Sequence, residues 1–159
     1  MRKKKSFKEI VKIVNELKRE KKKIVFTNGC FDIIHSGHIK LLKKAKQLGD
    51  VVIVGINKDS SIKKIKGKNR PILNENQRIE IISAIEFVDY VVPFGQTTPE
   101  KLIKIIKPDI LIKGGDYKKE DVVGKDIVEK YGGKVYIFPL IGNISTTNII
   151  KKIKNGQKS

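Results

Sequence analysis

The sequence has no tryptophan, one cysteine, one methionine and two histidines among its 159 residues. A single cysteine excludes an internal disulfide, so nothing in the chain requires an oxidising compartment. No apolar stretch has the length of a signal-peptide core or of a membrane span. The sequence therefore predicts a cytoplasmic protein with no membrane segment.

Acidic residues are also scarce, because 17 Asp and Glu face 35 Lys and Arg and give a formal net charge of +18. Much of this surplus lies in residues 1–23 and 151–159, which are typical of solvated surface. The surplus that remains in the body of the chain favours anionic ligands such as nucleotides and sugar phosphates. A nonenzymatic RNA-binding protein is an alternative, but the aromatic content of 6% and the lack of a stacking motif count against nucleic acid as a partner.

Helical and strand-like patterns alternate along the chain. Helical periodicity covers residues 7–20, 37–48, 74–87, 99–106, 120–131 and 145–153, and apolar runs cover 24–28, 51–57, 88–94, 109–116 and 134–139. This alternation predicts an α/β, Rossmann-like single domain whose parallel sheet carries helices on both faces. Within it we expect a basic N-terminal helix (1–22), a catalytic core (23–153) and a basic tail (154–159). The polar segments 61–71 and 115–124 are predicted to be loops.

The unusual polar residues follow the predicted strands. They lie in NGCFDIIHSGH, NKDSS, PFGQTTP, KGGDY and PLIGNISTT. Ligands of open parallel sheets bind beyond the carboxyl ends of the strands, where the strand order reverses. The sequence therefore predicts one site at that edge of the sheet.

The stretch NGCFDIIHSGH allows three interpretations. Cys30, His35 and His38, with Asp32, are nominal zinc ligands, although three ligands within nine residues would need a contorted turn. A second interpretation is a phosphate site, since His35 and His38 are three residues apart at a helix start, where backbone amides and glycines such as Gly37 favour an anion. The third is two surface histidines at an ordinary helix N-terminus.

Other polar residues have both structural and functional interpretations. Ser145, Thr146 and Thr147 suit either a helix cap or a second phosphate-binding helix start. Lys113 leaves a strand beside a Gly-Gly turn and suits a polyphosphate, whereas Asp116 in that turn suits turn support. Arg70 and Arg78 suit phosphate oxygens or the surface.

The strand followed by GxFDxxHxGH, the arginine of ENQR and the terminal ISTT together resemble the cytidylyltransferase-like nucleotidyltransferases. The variants NGCFD, RP…ENQR, IKGGDY and STT resemble the bacterial ADP-heptose synthases within that family. The resemblance runs from about Lys22 to Ile153.

The resemblance implies roles for individual residues. Paired histidines in the family hold the phosphates and stabilise the transition state, which implies catalytic roles for His35 and His38. It also implies a catalytic role for Lys46, the basic residue on the same helix, and the chemistry of Lys113 adds that residue to the catalytic set. The resemblance implies nucleotide binding by Asn28, Gly29, Cys30, Phe31, Ser145, Thr146 and Thr147, and acceptor binding by Asp32, Asp59 and Arg78. From their residue chemistry we add Gly37 to the nucleotide-binding set and Arg70 and Asp116 to the acceptor-binding set.

The implied reaction transfers AMP from ATP to D-glycero-β-D-manno-heptose 1-phosphate. Mg²⁺ is expected to arrive with the triphosphate, with no metal site made by protein alone. Glycerol-3-phosphate cytidylyltransferase and FMN adenylyltransferase are same-fold alternatives, but the chain lacks the arginine that glycerol-phosphate cytidylyltransferases typically carry before ISTT. It also has Lys113 where those enzymes have a methionine-like residue. A homodimer is expected, and so is a separate heptose kinase, because many ADP-heptose synthases are fused to one.

Overall fold

The computed structural model describes residues 2–115, 117–139, 142 and 144–156. Its described strands form one sheet: β1 (Ile24–Gly29), β2 (Val51–Asn57), β3 (Tyr90–Phe94), β4 (Ile110–Gly114) and β5 (Lys134–Phe138). Neighbouring strands are all parallel, in the order β3-β2-β1-β4-β5. Helices cover both faces of this sheet, so the predicted Rossmann-like α/β fold is confirmed.

The described helices alternate with the strands. They are α1 (Phe7–Arg19), α2 (Ser36–Leu48), α3 (Asp59–Lys66), α4 (Glu75–Ala84), α5 (Glu100–Ile106), α6 (Lys125–Lys130) and α7 (Thr146–Gly156), with a 3₁₀ helix at Lys119–Asp121. Asn74 is the N-cap of α4, as predicted, because its side chain accepts a hydrogen bond from the backbone N–H of Gln77. None of these helices is both long and apolar enough to cross a membrane.

Two predicted segments differ from the structure. Residues 61–71 were expected to be a loop, yet α3 extends to Lys66 and ends at Gly67, whose φ of +95° suits glycine. The helix predicted over 120–131 is shorter, because the 3₁₀ helix occupies its start and α6 begins at Lys125. Residues 61–71 hold only two large apolar side chains, Ile62 and Ile65, so their helical periodicity is weak. In the second segment Gly124, with a φ of +92°, is the N-cap of α6 and separates it from the 3₁₀ helix.

The core has two layers, one on each face of the sheet. On the first face α1, α5 and α6 pack against residues such as Phe26, Ile53 and Leu111. On the second face α2 and α4 pack against Val25, Val54 and other residues. Successive side chains of each strand point to opposite faces of the sheet, and those on both faces are apolar. Each face therefore offers an apolar surface on which helices pack.

The N-terminal segment extends the sheet at its β3 edge. The backbone N–H of Lys5 donates to the carbonyl of Val91, and the N–H of Val91 donates to the carbonyl of Lys3, each at 2.9 Å. The ammonium of Lys3 also donates to the carbonyl of Ile85 at 3.0 Å. These contacts fix the chain before α1, whose Ile10 and Val14 are buried in the first-face layer.

The strand order reverses between β1 and β4. From β1 the chain moves outward through β2 to β3, and α5 then returns it to β4 on the other side of β1. The carboxyl ends of β1 and β4 are therefore the switch point, where open sheets of this kind form a ligand crevice.

Candidate active site

A cavity of about 670 Å³ lies at the switch point. Most predicted site residues line it: Asn28, Gly29, Cys30, Phe31, Asp32, His35, Gly37, His38, Arg70, Lys113, Ser145, Thr146 and Thr147. These residues come from β1, the turn after it, the start of α2, the segment between α3 and α4, β4 and the start of α7. The structure thus brings distant sequence motifs together around one space.

The turn after β1 is held by an aromatic anchor. Phe31 has a left-handed φ of +47° and is buried. Its ring lies so close to Gly29 that a Cβ there would be 3.1 Å from Cε2, which favours glycine at this position. The same ring lies 5.3 Å from the ring of His38, centroid to centroid. The ring of Phe31 therefore packs against the ring of His38 and restricts its orientation.

The two histidines are stacked at the start of α2. Their ring centroids are 3.8 Å apart with an interplanar angle of 28°. The backbone N–H of His35 donates to Nδ1 of His38 at 3.3 Å, so the hydrogen of neutral His38 is on Nε2. Burial, with the neighbouring His35, lowers the pKa of His38 to about 4, and burial also lowers the pKa of His35. Both rings are therefore neutral hydrogen-bond donors at neutral pH.

The first turn of α2 is suited to an anion. It contains no acidic residue, and the side chain of its N-cap His35 makes no capping hydrogen bond. Among the described residues, none accepts from the backbone N–H groups of Ser36 and Gly37. Buried Nδ1 of His35 likewise has no partner in the described part of the chain. The Gly37 amide, unpaired among these residues, and the N-terminal end of the helix dipole thus lie at the cavity wall, and the His35 imidazole nitrogen without a described partner is buried beside them.

The start of α7 forms the opposite wall. Ser145 acts as a cap, since its Oγ accepts from the backbone N–H of Asn148 at 3.0 Å. Thr146 Oγ1 donates to the carbonyl of Ile33 at 3.0 Å, which fastens α7 to the segment just before the histidines. Thr147 is exposed and lines the cavity. Of the three hydroxyls, that of Thr147 is the most accessible to a ligand.

Lys113 bridges the switch point from β4 to β1. Its Nζ lies 3.2 Å from Oδ1 and 3.3 Å from the carbonyl oxygen of Asn28. Burial lowers the pKa of Lys113. Both partner atoms are acceptors, so Lys113 places a hydrogen-bond donor at the cavity between the ends of β4 and β1.

Asp32 is buried at the cavity wall and has its oxygens occupied. They accept hydrogen bonds from the backbone N–H groups of Ile72 and Leu73 at 2.8–2.9 Å and from Nε of Arg70 at 2.8 Å. Burial raises the pKa of Asp32, but these hydrogen bonds outweigh it and leave the pKa below its usual value. In this geometry the carboxylate holds residues 70–73 against the turn after β1.

Arg78 is fully buried and does not line the cavity. Its guanidinium donates to the carbonyls of Cys30 (2.6 Å) and Leu73 (3.0 Å) and to Oδ1 of Asp59 (2.7 Å). Oδ2 of Asp59 accepts from the backbone N–H of Glu75. Arg78 and Asp59 thus join α3, α4 and the turn after β1, and this geometry supports a positioning role. Direct acceptor binding by Arg78 and Asp59 stays a prediction without support from their placement.

Lys46 and Asp116 do not join the described cavity. Lys46 lies at the far end of α2, where its Nζ donates to Asp89 Oδ2 at 2.8 Å and to the carbonyl of Asp50 at 2.7 Å. The structure therefore separates Lys46 from the histidines, because ten residues of helix span about 15 Å. Asp116 lies outside the described residues.

The zinc interpretation has no support in the described geometry. Among the residues with coordinates, no group of three or more His, Cys, Asp and Glu side chains is arranged to hold a metal ion. Burial raises the pKa of the Cys30 thiol, although Lys66, Arg78 and Arg70 oppose this effect. The thiol is therefore protonated at neutral pH and is a poor nucleophile or metal ligand.

Several cavity residues were missed by the sequence interpretation. The additional polar ones are Thr27, Asn57, Lys66, Thr97, Thr98, Tyr117 and Asp121. NKDSS and PFGQTTP had marked Asn57, Thr97 and Thr98 as following strands, but nothing separated them from neighbouring polar residues. Lys66 was missed because α3 was expected to be a loop.

The chain is similar to several known proteins over most of its length. The chain is 52% identical to "Bifunctional protein HldE" of Geobacter metallireducens over 141 residues, covering 89% of this chain and 29% of that protein. It is 51% identical over 154 residues to the protein of the same name from Aliarcobacter butzleri, covering 97% of this chain and 32% of that protein. The chain therefore spans about a third of the length of these relatives.

Solved structures share the fold. A lipopolysaccharide core biosynthesis protein from Thermoplasma volcanium is 33% identical with a TM-score of 0.62, covering 77% of this chain and 99% of that one. Pantoate-beta-alanine ligase from Francisella tularensis is 22% identical with a TM-score of 0.61, covering 94% and 75%, and shares the fold alone. The cytidylyltransferase-like family model matches residues 26–152. With most of its length covered by that match, the chain belongs to the cytidylyltransferase-like family.

Proposed function

We propose that this protein is an adenylyltransferase that moves AMP from ATP to D-glycero-β-D-manno-heptose 1-phosphate, forming ADP-heptose and pyrophosphate. The convergence of His35, His38 and two helix N-termini on one switch-point cavity carries this proposal. Family membership supports the reaction class. The heptose is supported by the motifs of the ADP-heptose synthases and by the 33% identical lipopolysaccharide core biosynthesis protein.

In the proposed complex the triphosphate lies between α2 and α7. The backbone N–H of Gly37, unpaired within the described residues, and the hydroxyl of Thr147 belong to residues that line this space, and they are the proposed donors to phosphate oxygens. The aromatic ring of Tyr117 and the aliphatic side chains of Val123 and Ile144 are exposed and line the same cavity. Exposed apolar surface inside a ligand cavity suits the face of an adenine ring.

The transfer needs positioning and charge stabilisation more than a protein base. A phosphate oxygen of the acceptor is already ionised near neutral pH, and it forms a bond to the α-phosphorus of ATP. The bond from that phosphorus to the oxygen bridging to the β-phosphate breaks, and pyrophosphate leaves with the electron pair. His38 donates its Nε2 hydrogen to the charge that develops, and Lys113 adds a positive charge nearby.

Mg²⁺ is proposed to accompany ATP. Asp32 is committed to Arg70 and to two backbone amides, so the triphosphate itself offers the oxygen ligands that this ion prefers. When bound there, the ion offsets negative charge on the phosphates. Lys66, which also lines the cavity, is a further cation for the same charge.

A pyrophosphate-release panel tests the proposed function. Wild-type protein is incubated with ATP or CTP and with heptose 1-phosphate, glycerol 3-phosphate or FMN. We expect release with ATP and heptose 1-phosphate, with ADP-heptose identified by mass spectrometry. Release with CTP and glycerol 3-phosphate alone would instead assign the chain to a different member of the family.

The setting of the reaction follows from its substrates. A heptose 1-phosphate is supplied by a kinase reaction at the anomeric hydroxyl, and we propose that this enzyme and its partner kinase work in the cytoplasm, where ATP is available. The homodimer implied by the resemblance stays a prediction, which light scattering after size-exclusion chromatography tests.

A further inference from the structure

Three polar side chains form a row across the sheet at the carboxyl ends of adjacent strands. Asn57 ends β2, Asn28 lies near the end of β1, and Lys113 lies near the end of β4. Side chains alternate along a strand, and Asn28 and Lys113 lie two residues beyond the first-face core residues Phe26 and Leu111. Asn57 lies four residues after the first-face core residue Ile53, so its side chain is on the same face of the sheet. We call these three residues the polar row; it lies on the first face of the sheet.

The polar row lies on the opposite face from the histidine helix. α2 packs on the second face through Leu41 and Leu42, and Thr27, between Phe26 and Asn28, has second-face parity. Both Thr27 and the polar row line the cavity. The cavity therefore continues from the histidines across the sheet edge into a first-face lobe.

The polar row keeps hydrogen-bonding capacity that the protein does not use. Ser61 Oγ donates to the carbonyl of Gln96 at 2.8 Å, so it must accept from Nδ2 of Asn57, which lies 2.9 Å away. Oδ1 of Asn57 then remains an acceptor without a described partner. Lys113 directs its ammonium at two oxygens of Asn28, which leaves one ammonium hydrogen and the Nδ2 group of Asn28 as donors.

The segment before α5 adds two hydroxyl groups to the first-face lobe. Thr97 and Thr98 precede α5, a first-face helix, and are both exposed at the cavity. With Asn57 Oδ1 they supply acceptors as well as donors. An ionised phosphate only accepts hydrogen bonds, whereas sugar hydroxyls both donate and accept. The composition of the lobe matches a polyol better than a second phosphate.

We infer that the first-face lobe binds the sugar hydroxyls of the acceptor, and that Asn57, Thr97 and Thr98 determine acceptor specificity. This inference rests on the proposed function. The nucleotide then occupies the space between α2 and α7, and the acceptor phosphate reaches it across the sheet edge past Lys113. Ribose is the other polyol in the reaction, so the test must separate acceptor from ATP.

The test is steady-state kinetics of the Thr97→Val/Thr98→Val double variant with ATP and heptose 1-phosphate. Valine keeps the shape of threonine and removes the hydroxyl, and both positions are exposed, so folding is preserved. We expect the KM for the acceptor to rise about tenfold, as for one or two lost hydrogen bonds, with the KM for ATP unchanged. Thr147→Val is the matched control, for which we expect the KM for ATP to rise instead.

Each outcome decides the inference. An unchanged acceptor KM, or a raised KM for ATP in the double variant, overturns it. If wild-type protein does not turn over heptose 1-phosphate, the proposed function fails, and calorimetric titration of that sugar phosphate becomes the test. Weaker binding to the double variant than to wild type then supports the lobe, and equal binding or no binding to wild type overturns it.

Discussion

The tautomer of His38 depends on a single backbone hydrogen bond. Because His35 N–H donates to Nδ1, the imidazole has its hydrogen on Nε2 and acts as a neutral donor. Burial keeps the ring neutral. This differs from a cationic phosphate clamp, and in the proposed reaction it lets His38 stabilise negative charge that develops only in the transition state.

His38→Ala is expected to lower turnover by about 10²–10³-fold, the usual cost of losing one such donor. ATP affinity should change little, because the amides of α2 remain. His38→Gln is the matched variant, since its amide N–H reaches the place of Nε2, and it should keep more turnover than the alanine variant. Near-normal turnover of purified His38→Ala protein would remove His38 from the transition state.

The lowered histidine pKa values also predict how stability depends on pH. Between pH 6.5 and about 4 the unfolded chain binds a proton at His38 that the folded chain does not, so the free energy of unfolding falls as pH falls through this range. The effect is at most about 3 kcal/mol. Asp32 contributes only at lower pH, because its folded pKa lies below its usual value of 3.8.

Urea unfolding of wild type and His38→Gln between pH 4 and 7 measures this effect. The variant should lose less stability than wild type on acidification. Some loss should remain, because His35 also has a lowered pKa. Parallel pH profiles for the two proteins would contradict the assignment of a low pKa to His38.

At the scale of elements, Arg78 joins α3 and α4 to the turn after β1. Arg78→Met removes the fully buried member of an ion pair whose Asp59 side chain is 34% exposed, and it leaves the Cys30 and Leu73 carbonyls without their donor. We expect a loss of about 3 kcal/mol in the free energy of unfolding. Lys64→Met, at an exposed position of α3, is the control and should change stability by less than about 0.5 kcal/mol. Equal stabilities would show that Arg78 is not a structural link.

The N-terminal segment gives a second prediction at this scale. Removing Lys3–Lys5 eliminates two backbone hydrogen bonds to Val91 and the contact of Lys3 with Ile85. We expect a loss of about 2 kcal/mol of stability, at about 1 kcal/mol for each backbone bond, with turnover intact because these residues do not line the switch-point cavity. Thermal unfolding and the pyrophosphate assay measure the two effects separately, and a collapse of turnover at a temperature where the shortened chain is folded would give the segment a catalytic role.

At the scale of the whole molecule, the sheet was predictable because its strands are buried on both faces. IVF and VVIVGIN read as strands without reference to their partners, and the segments after them mark one edge. The start of α2 was equally visible. α3 could not be predicted, because Ile62 is its one large buried residue and the lysines around it give no helical pattern of apolar residues.

Long-range pairing was the part of the site that could not be predicted. Asp32 and Arg70 are 38 residues apart, and Arg78 reaches Cys30 over 48 residues. From the sequence alone, the charges of Asp32, Arg70 and Arg78 could serve either ligand binding or contacts within the protein, and only the structure shows their partners. Lys46 matched a family position, yet its distance from the histidines follows from helix length and from its pairing with Asp89.

The hydroxyl of Thr146 and the carbonyl of Ile33 are separated by 113 residues of sequence. A ribosome makes the histidine side of the cavity early and the α7 side more than a hundred residues later. A nascent chain that has emerged only as far as β5 contains all five described strands, but just one of the two walls of the proposed triphosphate site. For the proposed reaction we therefore expect a complete site only after α7 has emerged and docked.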